Sequence, residues 1–578
     1  MRITDRKDGM KRDFNVEITM SDGIILRADV FGPEDEGRYP VLLTYGPYAK
    51  GLAFQDGYPL AWNAMCTEHP DIPYGSSNLY QSWELVDPEK WVPDGYVCLR
   101  VDSRGCGCSE GYVDHFSRRE TQDLYEIIEW AAVQPWSNGK IGLNGISYYS
   151  MNAWHIASKN PPHLAAVCCW EGCGDWYRDA THHGGIMSMF WPEWYEKQVK
   201  TVQYGLGDRG WKSRVTGDNV SGDVTMSDEE LAANRCLLGD DLAEHPLDGS
   251  YYRERSAVYE DIQVPLLSAA NWGGIGLHTR GNFEGFMRAG SGEKWLEAHG
   301  LEHWTHFYTD YGVELQKRFF GYFLKGEKNG WDKQPKVQLN IRHTDGFVPR
   351  SEQEWPLART QWKKYYLTPK QMLKEAPEDT GTLTYEAMGD GLTFLTAPFE
   401  KETELCGPAA AKLFLSSDTC DADLFLALRL FTPDMKEITF KGSNDPHTPV
   451  SLGWLRASHR KLDPVQSRPY MPYHTHDELQ FLEPGSVYEL DVEILPTSIV
   501  IPPGYRLALS VRGKDYETAA EPLPYGPDKF RGVGPHRHTE ARDRKKEIFH
   551  NHVTLHFEKE QMPYVLLPVI PGGEQGKE

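Results

Sequence analysis

A serine flanked by small and aromatic residues, Gly145-Ile146-Ser147-Tyr148-Tyr149-Ser150, stands where a short apolar run ends and a helical pattern begins. A strand-to-helix turn at that point lifts a hydroxyl above a parallel sheet, and the helix N-terminus behind it offers N–H groups to an anion. Those are parts of nucleophilic acyl transfer: a hydroxyl to attack a carbonyl, a base for its proton, and fixed donors for the oxyanion. Gly145 supplies the small residue that a tight turn needs two positions before the serine. Two positions after it stands Tyr149, where the general hydrolase motif wants Gly. On local pattern alone, Ser147 as a plain helix N-cap is the simpler reading.

The base for such a serine is ordinarily a histidine, and with 21 histidines composition does not choose one. Chain order in hydrolases puts the base last, after a late strand. Lys294–Ala298 reads as that strand, and Gly300-Leu301-Glu302-His303 follows it, so His303 is the candidate, with His299 and His306 as competitors. Three His-x-His pairs lie further on: His474/His476, His536/His538 and His550/His552. On a strand each pair would point one way and could offer two metal positions. Hydrogen-bonded histidines are the preferred reading, and no metal or other cofactor is expected. The ten cysteines show no zinc spacing and read as small buried hydrophobes.

The elements that must hold these residues are legible in outline. Val16, Ile18 and Met20 alternate with polar residues, Asp22-Gly23 supplies a turn, and Ile24-Ile25-Leu26 begins a return strand, predicting a β-hairpin over 15–31. Strands follow at Pro40–Tyr45 and Tyr96–Val101. Leu124, Ile127, Ile128 and Ala131 share one face of a helix over about 120–133. A strand at Gly139–Asn144 and a helix at Tyr148–Ser158 come next. Alternating strands and helices predict a parallel sheet covered on its faces. From about 175 to 256 the pattern turns helical and aromatic, with a Ser227/Glu230 capping box, and Val264–Ala269 restores a buried strand. Beyond about 335, short strands punctuated by Gly and Pro predict an all-β sandwich, with Lys336–Arg342 as its first run.

Composition narrows the classes. The chain has 578 residues, with 61 Lys and Arg against 84 Asp and Glu, a net charge of −23. That balance argues against a nucleic-acid surface; the one short basic run, Arg542 to Lys546, is broken by Asp543. No stretch approaches the ~18 apolar residues of a membrane span. Met1–Lys11 is charged and carries no apolar core, so a cytoplasmic protein is expected.

Several ordered motifs resemble the cocaine esterase / X-prolyl dipeptidyl aminopeptidase family of α/β-hydrolases. The elbow pattern Gly-x-Ser-Tyr-x-Gly is met by Gly145, Ser147 and Tyr148, with Ser150 in place of the last Gly. The opening hairpin pattern is met by Asp22-Gly23, Leu26, Asp29, Pro33 and Pro40-Val41. The loop pattern D-x-R-G-x-G-x-S-x-G is present as Asp102, Arg104, Gly105, Gly107, Ser109 and Gly111. The resemblance implies an α/β-hydrolase core (1–174 and 257–334), an inserted helical cap (175–256) and a C-terminal all-β jelly-roll domain (335–578). It implies Ser147 as nucleophile, with the Tyr48 hydroxyl and the Tyr148 N–H as oxyanion donors.

The same resemblance exposes departures. The family's Gly-Pro-Trp-x-His is matched by Gly300 and His303 only, one residue closer together than the pattern wants. Its Gly-Trp-x-Asp loop reads Asn271-Trp272-Gly273-Gly274, so Trp272 matches but Gly274 stands where the acid belongs. Glu284 is the nearest carboxylate that follows and is the candidate acid, ahead of Asp310 and Glu302. Trp272, Trp191 and Trp194 are expected to line the substrate pocket. The function implied is a serine hydrolase acting through an acyl-enzyme on a small ester or amide, with X-Pro dipeptide release as the alternative. A metal-dependent enzyme, or a non-catalytic binding protein on the same scaffold, stays open. No nucleic-acid or membrane partner is expected, and a homo-oligomer is compatible with the sequence.

Overall fold

The computed structural model describes residues 3–519 and 530–572. Eleven strands make one sheet: β1 (Ile3–Lys7), β2 (Met10–Thr19), β3 (Ile25–Gly32), β4 (Tyr39–Gly46), β5 (Val97–Asp102), β6 (Ser137–Ile146), β7 (Leu164–Trp170), β8 (Leu266–Asn271), β9 (Lys294–His299), β10 (Val337–His343) and β11 (Gly346–Glu352). Their spatial order is β1-β2-β3-β5-β4-β6-β7-β8-β9-β10-β11. The central strands from β5 to β10 pair in parallel, and the outer pairs are antiparallel. β5 and β8 are buried at every position, as strands covered on both faces must be. β2 instead alternates buried with more exposed residues, and the Asp22-Gly23 turn returns it to β3.

Four helices cover the sheet: α1 (Arg118–Ala132), α2 (Tyr148–Ala157), α3 (Thr279–Arg288) and α4 (Asp310–Phe320). Ser117 caps α1 by accepting the Glu120 N–H, and Leu124, Ile127, Ile128 and Ala131 form its buried stripe. All of α2 is buried. It carries Ser147 at its head between β6 and the covering helices.

The chain between β7 and β8 folds into short helices, among them Phe190–Trp194, Asp228–Ala233 and Leu238–Glu244. The capping box of Ser227 and Glu230 is formed. Aromatic rings hold this segment together, with Trp191 packed edge-on against both Trp176 and Trp194.

Lys336–Arg342 was expected to open the β sandwich, and the strand there runs Val337–His343. It joins the central sheet as β10, with Leu296 of β9 opposite Val337, and its buried Val337, Leu339 and Ile341 pack with Trp272 and Phe283. A strand period identifies a strand but not its sheet. After β11 a seven-stranded and a five-stranded antiparallel sheet share one core, where Leu413 and Leu415 of one meet Leu426 and Leu428 of the other. Among the described residues no helix is long and apolar enough to cross a membrane.

Candidate active site

The C-terminal ends of the parallel strands converge on one cavity, the usual location for a site in such a sheet. The residue after β6, Ser147, has φ 58° and ψ −113°. A non-glycine residue there is strained, and such strain persists where surrounding structure enforces it. Here the Ser147 N–H donates to the carbonyls of both Trp170 and Glu171, and Glu84 O accepts the Ile146 N–H. Gly145 is obligatory: a Cβ on it would stand 2.7 Å from the Tyr149 Cβ. The Ser150 that departs from the family pattern is accommodated opposite Gly172, where any Cβ would collide with its hydroxyl at 2.1 Å.

Ser147 heads α2, yet its side chain makes no capping hydrogen bond. Its Oγ lies 3.1 Å from Nε2 of His278. His278 immediately precedes α3, in the loop where Gly274 stands at the position the family pattern gives to an acid, and no motif in the sequence marks it. Burial pushes its proton affinity down to about 3, opposed by the charge of Glu171 and reinforced by His303 and His536. The ring is therefore neutral near pH 7, the state in which imidazole accepts a proton.

His303 lines the same cavity, but its Nε2 pairs with Oε1 of Glu84 at 2.9 Å. Burial opposes a charge on His303, and the hydrogen bond and charge of Glu84 outweigh it, so its pKa is raised. His299, the first competitor, is fully buried between carboxylates, 2.8 Å from Glu171 and 2.5 Å from Glu297. These overcome desolvation and raise it to about 10. His306 is half-buried and lies outside the cavity lining.

Tyr48 follows β4 and also lines the cavity. Its hydroxyl accepts the Trp194 indole N–H at 3.1 Å, and burial, with the charge of Glu84, holds it protonated well above its ordinary range. The Tyr148 N–H, at the first position of α2, has no intrahelical acceptor by geometry. The Tyr148 side chain turns away, its hydroxyl hydrogen-bonded to Glu120 and His115.

The cavity encloses about 560 Å³. Tyr58, Trp83, Trp304, Phe190, Trp194 and Phe530 make it largely aromatic, and a loop between strands of the C-terminal part, residues 441–446, covers one side. Its other carboxylates are engaged: Glu302 pairs with Lys441 at 3.0 Å, and Asp445 accepts backbone N–H groups of His447, Gly532 and Gly534.

Three expected site residues lie elsewhere. Glu284 is on α3, six residues past His278 and so about 9 Å along the helix axis. It faces Arg288 at 3.7 Å and the Arg280–Glu493 pair instead of Ser147. Trp272 donates to the Asn340 carbonyl and stacks with Phe283 in a separate core. Trp191 donates to the Ala180 carbonyl inside the inserted helical segment. Trp194 alone of the three tryptophans reaches the cavity wall.

Of the His-x-His pairs, His538 meets His183 and Asp515, while His476 meets His459. His552 is at the surface beside Asp418. Among the described residues no group of three or more histidines, cysteines or carboxylates is drawn together to hold a metal ion.

Comparison with known proteins assigns the scaffold. Residues 22–308 match the profile of the X-Pro dipeptidyl-peptidase (S15 family), and residues 329–560 that of the X-Pro dipeptidyl-peptidase C-terminal non-catalytic domain. The chain belongs to the X-Pro dipeptidyl-peptidase (S15) family of serine hydrolases. Its relatives in that family include both esterases and peptidases. Cocaine esterase of Rhodococcus sp. (strain MB1 Bresler) is 23% identical over 574 residues, covering 87% of this chain and 90% of the relative. A putative Xaa-Pro dipeptidyl-peptidase of Streptomyces avermitilis is 23% identical over 495 residues, covering 75% and 69%. The crystal structure of a CocE/NonD family hydrolase from Staphylococcus aureus superposes with a TM-score of 0.82 at 29% identity, covering 97% of this chain and 94% of that one. The α/β-hydrolase fold with an all-β C-terminal part follows from these likenesses and from the sheets themselves.

Proposed function

We propose that this S15 family member is an esterase that cleaves small carboxylic esters bearing an apolar or aromatic group. The Ser147 Oγ attacks the carbonyl carbon, and His278 Nε2 takes the Oγ proton. The Tyr48 hydroxyl and Tyr148 N–H hold the oxyanion. Collapse of the tetrahedral adduct breaks the bond to the leaving oxygen, to which His278 returns the proton. Water, deprotonated by His278, then releases the acid and regenerates Ser147. The observation that carries this reading is the 3.1 Å contact between Ser147 and His278 at a strained elbow opening on an aromatic cavity.

Ester is favoured over X-Pro peptide because a peptidase must hold a substrate ammonium group. The cavity carboxylates Glu302 and Asp445 are already paired with Lys441 and backbone N–H groups, and Glu84 spends Oε1 on His303, leaving only its buried Oε2 without a partner among the described residues. A panel of chromogenic aromatic and short aliphatic esters, run beside Gly-Pro-anilide, tests this. The esters are expected to show the higher kcat/KM, and the reverse ranking overturns the ester reading.

A second reading makes His303 the base, favoured by its place after β9 and its exposure to the same cavity. The two are separated by single substitutions. His278→Ala is expected to lower kcat/KM by about 10²–10⁴-fold, the usual contribution of a general base. His303→Ala is expected to do so by no more than about tenfold in folded protein, since loss of the buried Glu84 pair costs stability but does not remove the proton acceptor. If His303→Ala proves the more damaging, the roles are reversed.

Tyr48→Phe removes one oxyanion donor while keeping the ring against Tyr149 and Trp194. Steady-state kinetics should show kcat reduced about 10²–10³-fold with KM little changed. An unchanged kcat would take Tyr48 out of the oxyanion site.

A further inference from the structure

The loop where the family pattern wants an acid has none, and the space is occupied. A Cβ at Gly274 would lie 3.0 Å from the Thr279 Oγ1 and 3.2 Å from the Ser443 Oγ. That same Ser443 hydroxyl donates to Oε2 of Glu171 at 2.8 Å. Glu171, the residue after β7, therefore ends one serine hydroxyl away from where a side chain at 274 would begin.

Glu171 is fully buried and has φ 43°, a second strained non-glycine residue directly beside the elbow. Its backbone carbonyl accepts the Ser147 N–H. Its Oε1 accepts the Asn271 amide at 3.1 Å and His299 Nε2 at 2.8 Å. His299 continues to Glu297, which is in turn held by Asn340 and Tyr311. Glu171 thus ends a buried chain of carboxylate, imidazole and carboxylate beneath the cavity.

The carboxylate also joins both histidine loops. The Asn271 amide that it holds uses its other end, Oδ1, to accept the Gly273 N–H, and the Asn271 carbonyl accepts the Gly274 N–H and the Thr279 hydroxyl. The His278 N–H closes this loop on the Gly274 carbonyl. On the other side, Ser443 accepts the His303 N–H through its carbonyl and donates its own N–H to Gly273.

We infer that Glu171 is a positioning residue for hydrolysis, holding the His278 and His303 loops and supplying the buried anion that position 274 lacks. This rests on the reading of Ser147 and His278 given above. Burial opposes the charge of Glu171, but the hydrogen bond and charge of His299 keep it ionised, and its field favours the protonated form of both His278 and His303. An imidazolium forms on the base during attack, so an anion nearby stabilises the transition state more than the ground state.

Glu171→Gln keeps the shape and removes the charge. On the best ester of the panel, kcat is expected to fall by about 10²-fold or more while KM stays within about threefold. A kcat within threefold of wild type, or a rise in KM alone, overturns the inference. If that variant does not fold, Ser443→Ala decides: it frees one carboxylate oxygen and is expected to lower kcat at least fivefold, and a kcat within twofold of wild type overturns the inference. Ser147→Ala run alongside separates the two ideas. Full activity in that variant removes the nucleophile reading, whatever Glu171 does.

Discussion

Ser147→Ala lowers kcat toward esters by about 10⁴–10⁶-fold, the range lost when a serine nucleophile is removed and only binding and oxyanion donors remain. The same substitution abolishes labelling by a fluorophosphonate, which wild type takes up as a single adduct readable by mass. Stability should not follow activity. The Ser147 side chain caps nothing, and its contact beyond the turn is with His278. Alanine inherits the same strained backbone, so its thermal midpoint is expected near that of wild type. Ser147→Gly is equally inactive but relieves a conformation with φ 58°, and it is expected to melt higher, by about 1 kcal/mol of stability. Undiminished ester turnover in folded Ser147→Ala would sink the mechanism, and an unlabelled wild type that turns over ester would do the same.

The elements around this serine were legible because each is written in a local period. The β2–β3 hairpin alternates, α1 repeats every three to four residues, and the glycine before the serine is demanded by the Tyr149 side chain. His278 was not legible for a different reason. It stands in a glycine-rich loop, Gly273-Gly274-Ile275-Gly276-Leu277, whose path no periodicity encodes, and family pattern directed attention to the absence of an acid there. A usable signal existed: a histidine just ahead of a helical pattern, after a buried strand, on the cavity side of the sheet. Glu171 carried a comparable signal, a charged residue directly after the all-apolar Val167-Cys168-Cys169-Trp170.

Sequence proximity points to Glu284, but a helix separates residues six apart, and α3 spends it on arginine pairing. The tryptophans show the limit of composition. Trp191, Trp194 and Trp272 are all buried, and only tertiary packing decides which ring faces a cavity and which faces a core.

Mild acid is expected to destabilise this protein through its buried histidines. Burial pushes His115, His155, His278, His306, His459, His474 and His536 each down to about 3, and each faces few compensating anions. The unfolded chain takes these protons near pH 6.5, the ordinary value for histidine. Their contribution is therefore intact above about pH 6.5 and is lost as pH falls from there toward 3, at about 1 kcal/mol per histidine per pH unit. Raised carboxyls work in the opposite direction, and burial raises Glu84, Asp87, Asp102, Asp241, Asp248, Asp445 and Glu493 among them. Burial raises Glu120 to about 8, Asp179 to about 7 and Asp421 to about 6, so stability lost to their buried charge returns as pH falls through those values toward 4. His299, raised to about 10, is protonated in both states below pH 6.5, and its contribution is already complete there. Each of these histidines binds close to one more proton in the unfolded chain near pH 5.5, and the raised carboxyls offset part of that uptake. Against a typical total of about 5–15 kcal/mol, a net uptake of about one or two protons already removes a sizeable share of the stability over a pH unit or two. Tryptophan fluorescence and circular dichroism at constant ionic strength should show thermal midpoints falling from pH 6.5 to 5.0. A midpoint that stays level over that interval would mean the buried histidines titrate in the native state and that the cavity and core admit their charge.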